Sequence, residues 1–266
     1  MELRDITFVI LTFNEAKRLG PTLAALPAAA KAFVLDAFSL DDTVAIAQAN
    51  GAQVEQRAWS SFAEARRYAI SRVTTPWLFM LDADELVTPA LATAILEADP
   101  HADGYRCTRL NRFCGRIMLG GAWAQETVLR LVPTANAQVV AQAAGGLHEA
   151  LSISGESRML AGALEHDSYP TLASYWEKFH RYTTIEAEHQ EASLLTVLGV
   201  ITLALLRAAW QLLYRQGYRD GWRGFFVAYA NAAYQVRVKL LAWRRGSQRR
   251  ADRRRETQSP SNKTKT

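Results

Sequence analysis

Residues 79–85 read FMLDADE, an apolar run that stops on Asp82, Asp84 and Glu85. Carboxylates held this close repel one another and are costly to desolvate, so they require a cation or a basic partner. Asp82 and Asp84 stand two residues apart where a strand gives way to a turn, and both can be aimed at one point. A hard divalent ion such as Mg²⁺ or Mn²⁺ takes one or two carboxylates and leaves its other positions to substrate phosphates. Asp84 and Glu85 could instead cap a helix in the following LVTPALATAIL.

The elements that must position these acids alternate. ITFVILTF (6–13) suits a strand buried on both faces, and AFVLDAF (32–38) suits a second. AQVEQR and PWLFMLDADE follow as the third and fourth strands, with helical patterns in NEAKRLGPTLAALPAAA, SLDDTVAIAQANGA and SFAEARRYAISRV between them. Alternation at this spacing predicts a mostly parallel sheet that binds its ligand beyond the strands' carboxyl ends. Asn14, Glu15, Asp36, Asp82 and Asp84 all fall at such ends. Residues 105–170 read as short strands broken by glycine pairs, a mixed extension with loops over the site. From Tyr169 onward the pattern is long helix, with Tyr175, Phe179 and Tyr182 recurring as packing residues.

An apolar fraction of 49% in 266 residues suffices for a large core. Cys107 and Cys114 fit neither a disulfide framework nor a common zinc spacing. The opening MELRDITFVILTFNE has acids ahead of its apolar run and does not read as a signal peptide, so the catalytic part is expected in the cytosol. The net charge of +5 belongs to the end of the chain, where RRGSQRRADRRRETQSPSNKTKT holds nine of the 31 Lys and Arg residues against Asp252 and Glu256. Without interleaved aromatics, that tail would attract phosphate without specificity, and no specific nucleic-acid partner is expected.

The order VILTFNE, VLDAFSLDDT, FAEARRYAI, WLFMLDADE resembles the family 2 glycosyltransferases of GT-A fold. The later pieces RLNRFCGR, GGAW, LRL, HEAL and HDSY resemble the enzymes that add a β-linked hexose, typically glucose, to the lipopolysaccharide inner core. The resemblance implies a GT-A, Rossmann-like mixed sheet, mostly parallel and flanked by helices, with a C-terminal helical extension that associates with membrane. It implies a UDP-sugar donor, a lipid-linked saccharide acceptor and Mg²⁺ or Mn²⁺ as cofactor. Thr12, Asn14 and Glu15 would line the nucleotide-sugar site, Glu15 holding the ribose. Asp36 would accept from the uracil N3–H. Arg66 would reach the nucleotide or diphosphate, Asp82 the ribose or metal, and Asp84 the cation. Arg67 departs from the family pattern, where Asn is frequent.

Inverting transfer needs a general base for the acceptor hydroxyl. Glu126, four residues before Arg130, resembles the acid of the family's base-and-arginine pattern, although relatives commonly carry Asp. Glu149, beside His148, is the competing candidate. Either acid could instead pair with an arginine. His148 and Arg130 are candidates for the acceptor side or a metal shell, whereas His166 reads as structural.

ASLLTVLGVITLALL (192–206) is uncharged, and Arg207 is the one charge before Tyr214. The length satisfies a transmembrane screen, but a single crossing would put the sugar-nucleotide site and the arginine tail on opposite sides. A helix lying in the cytosolic interface meets both demands, with aromatic residues at the headgroups and arginines on anionic lipid; packing against the catalytic domain is the other use of such a helix. Three segments are expected: catalytic 1–168, a helical, membrane-interfacial 169–245, and a disordered basic tail 246–266. Two other functions share the donor motifs, sugar transfer to polyprenyl phosphate and a non-catalytic nucleotide-binding membrane adaptor.

Overall fold

The computed structural model describes residues 1–141 and 149–258. The β-branched and aromatic ITFVILT folds as β1 (Ile6–Thr12), followed by α1 (Ala16–Ala24), β2 (Lys31–Asp36), α2 (Thr43–Ala49), β3 (Gln53–Gln56), α3 (Phe62–Arg72) and β4 (Trp77–Asp82). The four strands are parallel in the order β3-β2-β1-β4. Strand side chains alternate between faces. Ile6, Phe8 and Ile10 therefore enter one core layer with Leu19 and Leu23 of α1, while Val9 enters the other with Ala65 and Ala69 of α3. Ser61 caps α3 by accepting from the Glu64 amide.

The chain then turns sharply. β5 (Glu85–Val87) leaves the parallel group immediately after β4, and α4 (Pro89–Leu96) starts on a Thr88 cap with proline at its first position. β6 (Gly104–Phe113) and β7 (Arg116–Ile117) form an antiparallel pair, and β8 (Glu126–Pro133) lies antiparallel between β4 and β6. β9 (Gln138–Ala141) and β10 (Glu149–Ser152) make a separate two-stranded sheet. β11 (Ser157–Tyr169) runs parallel to β6 and antiparallel to β5, pairing His166 with Glu85. A bulge in β11 passes α4 at Gly162, where φ is +79° and an added Cβ would meet the Leu91 nitrogen at 2.3 Å. The architecture is the expected mixed, mostly parallel sheet flanked by helices, GT-A-like. Over 105–170 the expected mixed extension with short strands is present in β7, β9 and β10, but β6 and β11 are long strands at the centre of the sheet's second half.

The chain divides into two units, Met1–Met118 with Trp123–Thr171, and Leu119–Ala122 with Leu172–Thr266. The second contains α5 (Leu172–Glu188), α6 (Leu194–Leu213) and α7 (Trp222–Gln258). Buried Asp220 accepts from the amides of Leu119 (2.8 Å) and Gly120 (2.9 Å), which explains why that short loop joins the helices. A Ser193–Thr196 capping box starts α6. α7 continues to Gln258, so helix extends into the stretch expected to be unstructured. Its Arg, Ala, Gln and Glu are good helix formers, which charge alone did not reveal.

Candidate active site

Thr12, Asp36 and Asp82 end β1, β2 and β4, so three neighbouring parallel strands deliver them to one edge. Asp36 is fully buried, and its two oxygens are saturated. They accept from the Thr12 hydroxyl (3.0 Å), the Ser39 amide (2.8 Å), the Gln56 amide group (3.0 Å) and the Ser39 hydroxyl. Asn14, at φ +56°, is a clamp: its amide donates to Ser39 and its side chain accepts from the Leu40 amide. Asparagine tolerates this left-handed conformation better than most residues. Glu15 pairs with Arg18 at 3.0 Å.

The FMLDADE acids find basic partners within the chain. Asp82 faces Arg130 at 2.7 Å, Arg66 at 3.5 Å and Arg109 at 3.8 Å. Burial pushes its carboxyl up, but Arg130, Arg66 and Arg109 outweigh burial and hold it well below the usual carboxylate range. Glu85 is fully buried; it accepts from Arg130 at 2.5 Å, Arg109 at 3.3 Å and the Asp82 amide at 3.0 Å. There burial wins, and the Glu85 carboxyl is raised despite Arg130. Glu85 therefore caps no helix; it folds back as the counter-ion of two arginines.

Asp84 turns the other way, toward Arg18 at 3.0 Å and the His166 Nε2 at 3.5 Å. Burial raises its carboxyl, and the hydrogen bond and charge of His166, helped by Arg18, bring the balance below the ordinary value. The antiparallel β5–β11 pairing positions that histidine. A carboxylate oxygen facing an imidazole nitrogen is a donor pair that divalent ions accept. Among the described residues no three His, Cys, Asp or Glu side chains form a metal cluster, so an ion held there would draw further ligands from its substrate.

Glu126 opens β8 and is held by Arg109 through Nη2 (2.5 Å) and Nε (2.8 Å), and by the Asn111 amide group (3.1 Å). Burial raises its carboxyl, but Arg109 and Asn111 outweigh burial and lower it. Arg130, four residues along the same strand, joins Asp82 to Glu85 rather than to Glu126. His148 lies outside the described residues, as does the side chain of Glu149. Arg18, Arg109, Asn111 and His166 join this acidic cluster, a juxtaposition that sequence reasoning did not bring out. The available signal was RLN at 109–111, which puts Arg109 and Asn111 on one face of a strand.

Residues 7–116 match the family model Glycosyl transferase family 2. An uncharacterized glycosyltransferase of Mycobacterium tuberculosis (strain ATCC 25618 / H37Rv) is 34% identical over 99 residues, 37% of this chain and 45% of that protein. The match thus spans less than half the length of that relative. The lipopolysaccharide core biosynthesis glycosyltransferase LpsC of Rhizobium meliloti (strain 1021) is 24% identical over 245 residues, 85% of this chain and 87% of its own. The crystal structure of glucosyl-3-phosphoglycerate synthase from Mycobacterium tuberculosis in complex with Mn²⁺, UDP and glucosyl-3-phosphoglycerate superimposes with a TM-score of 0.35 at 19% identity, over 40% of this chain and 44% of that one. The matched segment carries Thr12, Asn14, Glu15, Asp36, Arg66, Asp82 and Asp84, whereas Glu126, Arg130 and His166 lie beyond it. Over residues 7–116 the chain is thus similar to glycosyl transferase family 2.

Proposed function

We propose that this protein is an inverting glycosyltransferase that moves a hexose, glucose, from a UDP-sugar to a lipid-linked saccharide such as the lipopolysaccharide inner core. The observation that carries the reading is the convergence of Asp36, Asp82 and Asp84 at one sheet edge, with Glu126 tied into the same charge network through Arg109. The similarity to LpsC over most of both chains supports the acceptor class.

The nucleotide would lie over Thr12, Asn14, Glu15 and Asp36. To accept the uracil N3–H, Asp36 must release one present donor, and Gln56 is the one on a movable side chain. Arg66 would receive the diphosphate as a planar, bidentate donor. Asp84 and His166 would hold a divalent cation, Mg²⁺ or Mn²⁺, which when bound neutralises charge on the leaving diphosphate. Glu126 would take the proton of the acceptor hydroxyl as that oxygen attacks the anomeric carbon opposite the diphosphate. Arg109 keeps Glu126 ionised and oriented, at some cost in basicity.

The acceptor's lipid would bring the second unit to the cytosolic face of the inner membrane. Among the described residues α6 is the one helix long and apolar enough to span by length and composition. Only Val197 and Ala204 of α6 are buried, whereas Leu194, Leu195, Leu198, Ile201, Leu205 and Leu206 are exposed. From residue 192 to 249 the lone acid is Asp220, which is buried. Arg215 stacks on Trp210 and Arg223 on Trp222, a combination suited to headgroups of anionic lipid.

The test supplies purified protein with radiolabelled UDP-glucose, Mn²⁺, and either a lipid-linked core saccharide or a polyprenyl phosphate. Label in the saccharide with a β-linkage is expected. Label in polyprenyl phosphate alone overturns the acceptor, and UDP-glucose that neither binds nor transfers overturns the donor.

A further inference from the structure

Asn111 sits on β6 between two groups that the reaction needs, and its side chain can be oriented from its neighbours. One end faces Glu126 Oε1 at 3.1 Å and the Ala124 carbonyl at 3.5 Å, both acceptors. Only the NH₂ end can face two acceptors, so the amide oxygen must point the other way. There it meets His166 Nδ1 at 2.8 Å and the Ser168 hydroxyl at 3.4 Å. An amide oxygen cannot donate, so Nδ1 must carry the hydrogen. With Nδ1 so fixed, Nε2 is the atom that carries the second hydrogen toward Asp84 when the imidazole is charged, and in the neutral ring it bears the lone pair. Asn111 is buried, so neither end can exchange its partner for bulk water without cost.

We infer that Asn111 is a positioning residue that sets both halves of the site: it fixes His166 with Nε2 free to hold a cation beside Asp84, and it holds the Glu126 carboxylate in place. This rests on the reading of Asp84 and His166 as the cation-holding pair. One amide spans two functions because its two ends have opposite hydrogen-bonding character. An Asp at this position keeps an acceptor for His166 but turns a like charge on Glu126. An Ala keeps neither.

Two measurements on the full-length protein test this. In the wild type, ¹⁵N resonances of the His166 imidazole, recorded in its neutral form, should report Nδ1–H; an Nε2–H tautomer overturns the inference without any variant. Titration of Mn²⁺ into protein with UDP should show Asn111→Ala binding the ion about 10- to 100-fold more weakly, the usual loss when the partner of a ligating histidine is removed. Asn111→Asp should recover most of that affinity. Unchanged Mn²⁺ affinity in Asn111→Ala, or equal losses in Ala and Asp, overturns it. Should Asn111→Ala fail to fold, the wild-type tautomer and the Asp variant still decide. Wild-type protein that binds no Mn²⁺ with UDP counts against the cation-holding pair, while the tautomer measurement continues to test Asn111 itself.

Discussion

In the first unit Glu85 has no exposed surface and Arg130 is 6% exposed, although both are charged; in the second, Leu195 is 79% and Leu213 73% exposed, although both are apolar. Buried charge survives only when paired and hydrogen-bonded, and an exposed apolar face gains nothing from water. The first unit meets its cost internally, with four arginines against Asp82, Asp84, Glu85 and Glu126. The exposed arc of α6 has no such compensation among the described residues of its unit. The charged cluster therefore reads as a site assembled in advance, and α6 as an exposed apolar surface for which a membrane partner is proposed.

The largest effect should come from the acid least committed to the internal network. Asp84→Ala should abolish sugar transfer while leaving the fold intact, since among the described residues the Asp84 carboxylate pairs with Arg18 and His166 at the cluster's edge. EDTA should do the same to the wild type. Full activity in EDTA would remove the metal from the mechanism, and a large loss of thermal stability in Asp84→Ala would make the residue structural. Next comes Glu126→Gln, which should retain UDP-sugar binding and cut turnover by ~10²–10⁴-fold, the range for losing a general base. If it stays active while Glu149→Gln is dead, the role moves to Glu149.

A third substitution probes the pairing itself. Arg130→Met leaves the fully buried Glu85 and the half-buried Asp82 without their main partner and should cost about 3–5 kcal/mol in urea denaturation, the range for breaking one side of a buried pair, with Glu85 the larger source. Adding Glu85→Gln should recover part of this. The two acids carry opposite signs with pH. Asp82, held low, contributes stability that is present above its unfolded value and lost as pH falls through its folded one. Glu85, held high, contributes stability that is present below its unfolded value and lost as pH rises through its folded one. Removing Arg130 weakens the first and enlarges the second, so the penalty should shrink as pH falls toward the carboxylate range. A penalty independent of pH would mean that lost packing, not charge, is responsible.

The parallel half of the sheet was legible because ITFVILT and WLFMLD are continuous apolar runs ending in polar residues, a pattern few other structures produce. The second half was legible only as a mixed extension, without its long strands. β6 carries Arg106, Arg109, Asn111 and Arg112, and their polarity hides a central strand behind what resembles loop composition. The site divides in the same way. Asp36, Asp82 and Asp84 could be placed because the strands that end on them are local in sequence. His166 could not be, because its approach to Asp84 depends on β11 pairing with β5, His166 opposite Glu85, far apart in the chain. The antiparallel return at β5 had no turn signal beyond the acids themselves, so a helix cap stayed open as an alternative for Glu85.

The smallest effects separate the two forces expected at the membrane. Each Lys or Arg near an anionic surface is worth ~1 kcal/mol at best, and salt screens it. Burial of the α6 leucines is not weakened by salt. In sedimentation with anionic vesicles, high salt should therefore strip little protein, whereas polar replacements at Leu198, Ile201 and Leu205 together should release most of it. Deleting residues 246–266 should weaken binding modestly and spare transfer to a soluble acceptor. Release by salt alone would reverse the ranking and make the arginines the anchor. Wild-type protein that ignores vesicles but self-associates would assign the apolar arc to a second copy of the chain. The tail also reports topology: a protease outside sealed right-side-out vesicles should leave it intact, because a helix lying in the cytosolic leaflet keeps both its ends inside. Cleavage of the tail there, with the sugar-nucleotide domain protected, would mean that α6 spans.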